Sequence, residues 1–192
     1  MKKSFIRTIK ILFFIIAFFF SLYYFLEWDA LGKFVMSMAH SQLERNGMRL
    51  NYSDVTGEEG GFTVHNLTLS GGANISLSSV TIKPQILSSV LSLAPVCDIN
   101  FNGANVRLGM NINIGDGGFL MTAGRHEILL ENLKTNGDFA INGYLTVNLV
   151  TMKLGRTDAK LNVPEDLAQS MNMLKNFLPL VQDGGQWYLR RQ

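Results

Sequence analysis

Apolar residues between Phe62 and Ile82 fall in two runs that share one rhythm: Phe62, Val64, Leu67 and Leu69, then Ile75, Leu77, Val80 and Ile82. Each run alternates, skips one residue, then alternates again. Alternation marks a half-buried strand, because successive side chains point to opposite faces. The skip must either flip the phase or be absorbed by a bulge that keeps one face apolar. Gly71-Gly72, between the runs, offers the positive φ of a hairpin turn. The pattern predicts two neighbouring strands whose irregularities lie side by side, where the sheet bends.

The periodicity extends in both directions. Leu31, Phe34, Val35, Met38, Ala39 and Leu43 repeat at three and four residues, which predicts a helix over 30–46 with this stripe on the sheet. Gly47 comes next as its C′ residue. Residues 48–55 read as a first strand, and 56–61, rich in glycine, as a turn. Residues 84–93 are spaced like one or two helical turns, stopped by Pro95. Strand patterns resume over 96–101 and 104–114, the second of which alternates without a break and is turned by Asp116-Gly117-Gly118. Further strands are expected over 119–122, 127–133, 139–141, 144–152 and 159–163. The skip recurs faintly in the second of these, and Asn136-Gly137 and Asn142-Gly143 are hairpin signals. Pro164 opens a second helix, with Leu167, Met171, Leu174 and Leu178 in one row, that ends before Pro179. Residues 186–189 read as a short closing strand. The expectation is a mainly β protein, with an antiparallel sheet that keeps one face apolar and two flanking helices.

Hydropathy adds a segment outside this sheet. Of the 192 residues 47% are apolar and 17% charged, and the apolar excess lies in 11–26, which holds no charge. With its flanks the run approaches the roughly 20 residues that cross a bilayer as a helix. Tyr23, Tyr24 and Trp28 stand at its distal end, as in an interfacial aromatic belt. Lys2, Lys3, Arg7 and Lys10 precede it without an acid. The rest of the chain then carries 13 of the 17 basic residues against 15 acidic ones, so the net +2 comes from the leader. Positive-inside bias puts the N-terminus in the cytoplasm and the remainder across the membrane. A cleavable signal peptide is the competing reading, but Glu27, Trp28 and Asp29 stand where small residues would mark a cleavage site. The chain is thus expected to divide into a basic leader with an uncleaved transmembrane signal anchor over 1–28 and a β-rich domain over 29–192.

Few residues carry candidate chemistry. His40, His65 and His126 stand at no metal-ligand spacing, and Cys97, the lone cysteine, reads as a buried strand thiol that forms no internal disulfide. No nucleophile elbow and no phosphate-cradling loop occurs. Glu58-Glu59 reads as a solvated turn and Asp98 as a surface charge. Three N-x-S/T triplets are close to the chance number of about two. No enzyme, cofactor or metal site is expected, and nothing basic enough for nucleic acid remains.

The array of an N-terminal anchor, a helix, a Gly-bounded strand, paired runs of the form VHNLTLSG and NISLSSVTIKPQILSSVLS, then strand after strand with Gly turns, resembles the AsmA-like superfamily. Within it the chain is similar to the type II secretion system protein N (GspN) group, best over 30–110 and loosely thereafter. The resemblance implies a bacterial inner-membrane protein whose periplasmic part is a long, curled antiparallel sheet with an apolar inner face. It also implies an accessory role in export without catalysis, whereas longer relatives are linked to lipid movement. Ten strands at ~4.8 Å spacing give a sheet on the order of 50 Å, short for a one-protein bridge between membranes.

Two functions are expected in turn. In one, the anchor fixes the sheet at the membrane and an exposed edge pairs with secretion-apparatus subunits or other envelope proteins by strand addition. The run over 104–114 is the motivating strand. In the alternative, the apolar face is an open groove for lipid, with Phe62, Val64, Ile75 and Leu77 as lining residues.

Overall fold

The paired skips between Phe62 and Ile82 organise the sheet. The computed structural model describes Lys10, Phe13, Phe14, Ala17, Phe18, Phe20, Ser21, residues 23–108, 110–151 and 153–164, Met171, Lys175 and residues 179–191. The strands are β1 (Arg49–Asn51), β2 (Asp54–Glu58), β3 (Gly61–Ser70), β4 (Asn74–Pro84), β5 (Val96–Leu108), β6 (Met110–Ala123), β7 (Glu127–Thr135), β8 (Ala140–Asn148), β9 (Lys153–Asn162), β10 (Leu180–Asp183) and β11 (Gln186–Arg191). They form one antiparallel sheet in the order β1-β3-β4-β5-β6-β7-β8-β9-β11-β10, with β2 beside β1 on the same edge of β3. The two ends do not pair, so the sheet is not closed. Helix α1 (Trp28–Arg45) lies on β1, β2 and β3, and α2 (Ile86–Ser92) fills the β4–β5 connection.

In β3 the skip is carried by Asn66, at φ +50°. One residue in the left-handed region reverses the facing of the rest of the strand, and Leu67 and Leu69 therefore pack on the same cluster as Phe62 and Val64. The partner strand breaks rhythm at the same level, so apolar residues meet directly: Phe62 with Ile82, Val64 with Val80, Leu67 with Leu77 and Leu69 with Ile75. The side-by-side irregularity is as expected, and it does not stop there. Gly103 in β5, Gly115 in β6 and Asn132 in β7 also have positive φ, and register shifts accompany each of them. The line also meets the gap between β1 and β2, where Ser53 accepts a hydrogen bond from Asn66 Nδ2 at 3.2 Å.

Several expected boundaries differ. The alternating run over 104–114 is not one strand, because the chain reverses between Leu108 and Met110, and Val106 faces Ile112. Partners across this reversal share parity, so alternation runs through it unbroken. Asp116-Gly117-Gly118 is no turn but part of β6, where a Cβ on Gly117 would sit 2.7 Å from the Phe101 ring. Asn142-Gly143 likewise lies inside β8, with Gly143 against the β9 backbone. The first strand is split into β1 and β2, and the glycine-rich turn shrinks to Glu59-Gly60. Gly71-Gly72 joins β3 to β4 without positive φ, while Asn136-Gly137 does sit between β7 and β8. Strand β10 has no sequence signal of its own.

Helix α1 ends as expected, with Gly47 at φ +73° and the N–H groups of Gly47 and Met48 bonded to the carbonyls of Glu44 and Leu43. Its buried side is different from the expected stripe. Trp28, Gly32 and Met36 are buried, whereas Phe34, Val35 and Met38 are exposed. Gly32 decides the rotation: a Cβ there would lie 2.6 Å from Val55 and 2.7 Å from Phe62, so the helix can approach the sheet only on that side.

The described residues between Lys10 and Phe25 are helical, and a bend at Leu26 separates them from α1. No helix among the described residues is long and apolar enough to cross a membrane. Six positions of the expected span 11–26 lie outside the described residues, as does most of the expected helix 164–178. Met171 is helical and packs with Leu161, Leu180, Trp187 and Leu189 in a second core at the far side of the sheet.

Candidate functional site

One face of the sheet is apolar from β3 to β6. From the Phe62 level the row runs Phe62, Ile82, Ile99, Phe119, and from the Leu69 level Leu69, Ile75, Val106, Ile112. Phe101 and Phe119 bring their rings to a centroid separation of 6.3 Å. The four residues expected to line a groove share this face but not one environment. Phe62 and Val64 are 2% and 0% exposed, beneath α1 with Met36, Leu50 and Val55. Ile75 and Leu77 are half-buried on β4, beyond the strands α1 covers.

The opposite face is a ladder of small polar groups. Thr63 donates to Glu58 at 2.5 Å and shares a hydrogen bond with Thr81 at 2.7 Å, and Asn102 donates to Ser79 at 2.9 Å. Glu58 is therefore engaged with a threonine on the sheet rather than with Glu59. Asp98 is half-buried and accepts from Asn100. At the crease, Asp116 Oδ1 accepts from Gly103 N–H and the Asp116 N–H donates to Asn136 Oδ1. These contacts satisfy the backbone where the ladders shift.

Among the described residues His40 and His65 stand apart, each with its own partner. His40 Nδ1 lies 2.9 Å from the Leu50 carbonyl, with Nε2 3.2 Å from Glu44, and His65 lies 2.9 Å from the Thr56 hydroxyl. Among the described residues no group of three or more His, Cys, Asp or Glu side chains is placed to hold a metal. Cys97 is half-buried between Pro84 and Met121, and burial raises its thiol pKa. The Asp29 carboxyl is held below its ordinary value by the Ala30 N–H and then by Lys33, 3.4 Å away. A cleft of about 660 Å³ lies at the end of the sheet away from Trp28, lined by Asn111, Asn113, Asp138, Asn162 and Pro164, and includes none of the groove residues.

The arrangement is an unclosed antiparallel sheet with an apolar face across β3–β6, interrupted along one line of left-handed residues and packed under a helix at one edge. A family model described as type II secretion system protein GspN-like, Synergistales, matches residues 6–191, and the chain belongs to that family. No curated protein and no solved structure matches it. The left-handed positions of Gly103 and Asn132 were findable by the same rhythm, which runs Ile99, Phe101, Ala104, Val106 in β5 and Ile128, Leu130, Leu133 in β7.

Proposed function

We propose that the protein is an accessory of the type II secretion system, held in the bacterial inner membrane by residues 1–28 as a single-pass signal anchor, with 29–192 in the periplasm. It acts by binding secretion-apparatus subunits or other envelope proteins, without catalysis. The family membership supports the system, and the basic leader before an apolar run supports the topology.

The observation that carries the interaction is the sheet end at β10. Among the described residues this strand pairs with β11 on one side only, and Val181 on it is 43% exposed. A short unpaired edge is a template for an added strand, whose main-chain hydrogen bonds supply affinity. The other end is less available, because α1 packs on β1 and β2 and His40 meets the Leu50 carbonyl. The run 104–114 forms part of an internal hairpin and supplies no edge. A photo-crosslinking residue at Val181 in the full-length protein, expressed in cells with the secretion apparatus, should join it to an apparatus subunit. Crosslinks confined to lipid or solvent products would count against the reading.

Lipid binding is the second reading, favoured by half-buried Ile75, Leu77, Val80 and Val106 on the part of the apolar face that α1 leaves. Native mass spectrometry of the detergent-released protein tests it, and a spectrum free of bound lipid would remove it.

A further inference from the structure

The two ends of the sheet differ in chemistry. At one end stand Gly71-Gly72, the Asn136-Gly137 turn and the Gly184-Gly185 turn, with small and polar residues, beside the Leu108–Met110 reversal. At the other end stand α2 and the β8–β9 connection, and there the apolar side chains point out. Leu87, Leu91 and Leu93 are 82%, 86% and 93% exposed, and Val90 and Val150 are exposed as well. From Gln85 to Cys97 there is no charged residue.

Helix α2 is fastened rather than frayed. The Ser89 hydroxyl donates to the Gln85 carbonyl and accepts from the Val96 N–H, each at 2.8 Å, and Ser92 donates to the Ser88 carbonyl at 2.7 Å. None of its residues is buried. Leu93, which caps it, has φ +51°, a conformation disfavoured for leucine, and leaves its side chain in the open. A short rigid element that holds leucines outward at a backbone cost is unexplained by the packing of this domain.

Its position supplies the occupant. The chain enters α1 at this same end: a Cβ on Gly60, in the β2–β3 turn, would meet the Tyr23 ring, and the Trp28 indole donates to the Tyr23 carbonyl at 3.2 Å. Tyr23, and with it the entry of the chain into α1, therefore lies beside the β2–β3 turn. Two strand spacings separate that turn from the β4–β5 connection, on the order of 10 Å. The next connection along carries Arg125, a cation suited to lipid phosphates, with Glu127 close behind it. We propose that α2, with Leu87, Leu91 and Leu93, dips into the lipid bilayer surface and sets the sheet upright on the membrane. The inference rests on the anchored reading above.

The test uses the full-length protein in vesicles of phosphatidylethanolamine and phosphatidylglycerol, with Cys97→Ala as background. A fluorophore is attached at Leu91→Cys, at Gly72→Cys on the opposite end, or at Phe14→Cys in the apolar segment. Spin-labelled lipid should quench the label at 91 several-fold more than that at 72. If position 14 is quenched and 91 is no more quenched than 72, α2 does not meet lipid and the proposal fails while the anchor stands. Quenching at 91 without quenching at 14 upholds the dipping helix and removes the anchor. Absence at both positions overturns both.

Discussion

Asp116 accepts a hydrogen bond through Oδ1 from the backbone N–H of Gly103, at 2.9 Å, where β5 and β6 lose register. Gly103 itself has φ +62°, and a Cβ there would collide with the Ser78 hydroxyl. The crease thus asks two things of one residue, a left-handed backbone and no side chain. Gly103→Ala should destabilise the domain by about 1–3 kcal/mol, the cost of a strained backbone position. Asp116→Ala, at an exposed site, should lose about 1 kcal/mol. Chemical denaturation in detergent micelles measures both, and a neutral Gly103→Ala would mean that the crease relaxes freely.

Asn66 offers the complementary case, a residue that tolerates the left-handed region better than most. Asn66→Val should cost about 1–2 kcal/mol, because a β-branched side chain is least compatible with φ +50°. The readout is the same denaturation midpoint. Equal stability of the variant and the wild type would place the facing reversal elsewhere in β3.

Much of this fold could be read from the order of apolar residues, and the failures have physical causes. The skip at Asn66 was legible because it breaks an alternation. The reversal between Leu108 and Met110 was not, since partners such as Val106 and Ile112 keep the same parity across it. Glycine carried two meanings that sequence cannot separate: a turn at Asn136-Gly137, but room for Phe101 at Gly117 and for β9 at Gly143. That Phe62, Val64, Ile75 and Leu77 share one face was legible from the broken alternation. Which of them a helix would seal depended on the rotation of α1, and that is set by one small residue, Gly32.

That rotation is testable by two substitutions on the same helix. Gly32→Ala inserts a methyl group against Val55 and Phe62 at 2.6–2.7 Å and should cost about 1–3 kcal/mol, as overpacking does. Phe34→Ser, at a side chain 61% exposed, should stay within about 0.5 kcal/mol of wild type. Thermal unfolding followed by circular dichroism compares them. The reverse ranking would return the buried stripe to Leu31, Phe34 and Val35.

Cys97 should behave as a shielded thiol. Burial raises its pKa, so the reactive thiolate is scarcer at neutral pH than for a free cysteine. Alkylation by iodoacetamide should be several-fold slower in the folded protein than after denaturation, with the gap narrowing as pH rises towards the raised pKa. Labelling at the same rate in both states would show that the start of β5, between Pro84 and Met121, gives open access.

Asp29 ties the start of α1 to acid. Its carboxylate accepts from the Ala30 N–H and faces Lys33, and both interactions are made by the charged form, so the folded pKa lies below the ordinary 3.8. A depressed pKa contributes stability that is fully present above the unfolded value and lost as pH falls through the folded one. Wild type should therefore exceed Asp29→Asn in stability at neutral pH, and the difference should shrink only below pH 3.8. It should be small, since the pair is exposed, and weaker at high salt. Denaturation midpoints of the two proteins across the acid range decide the matter. A difference that persists at pH values below the folded pKa would assign the effect of the substitution to something other than the carboxylate charge.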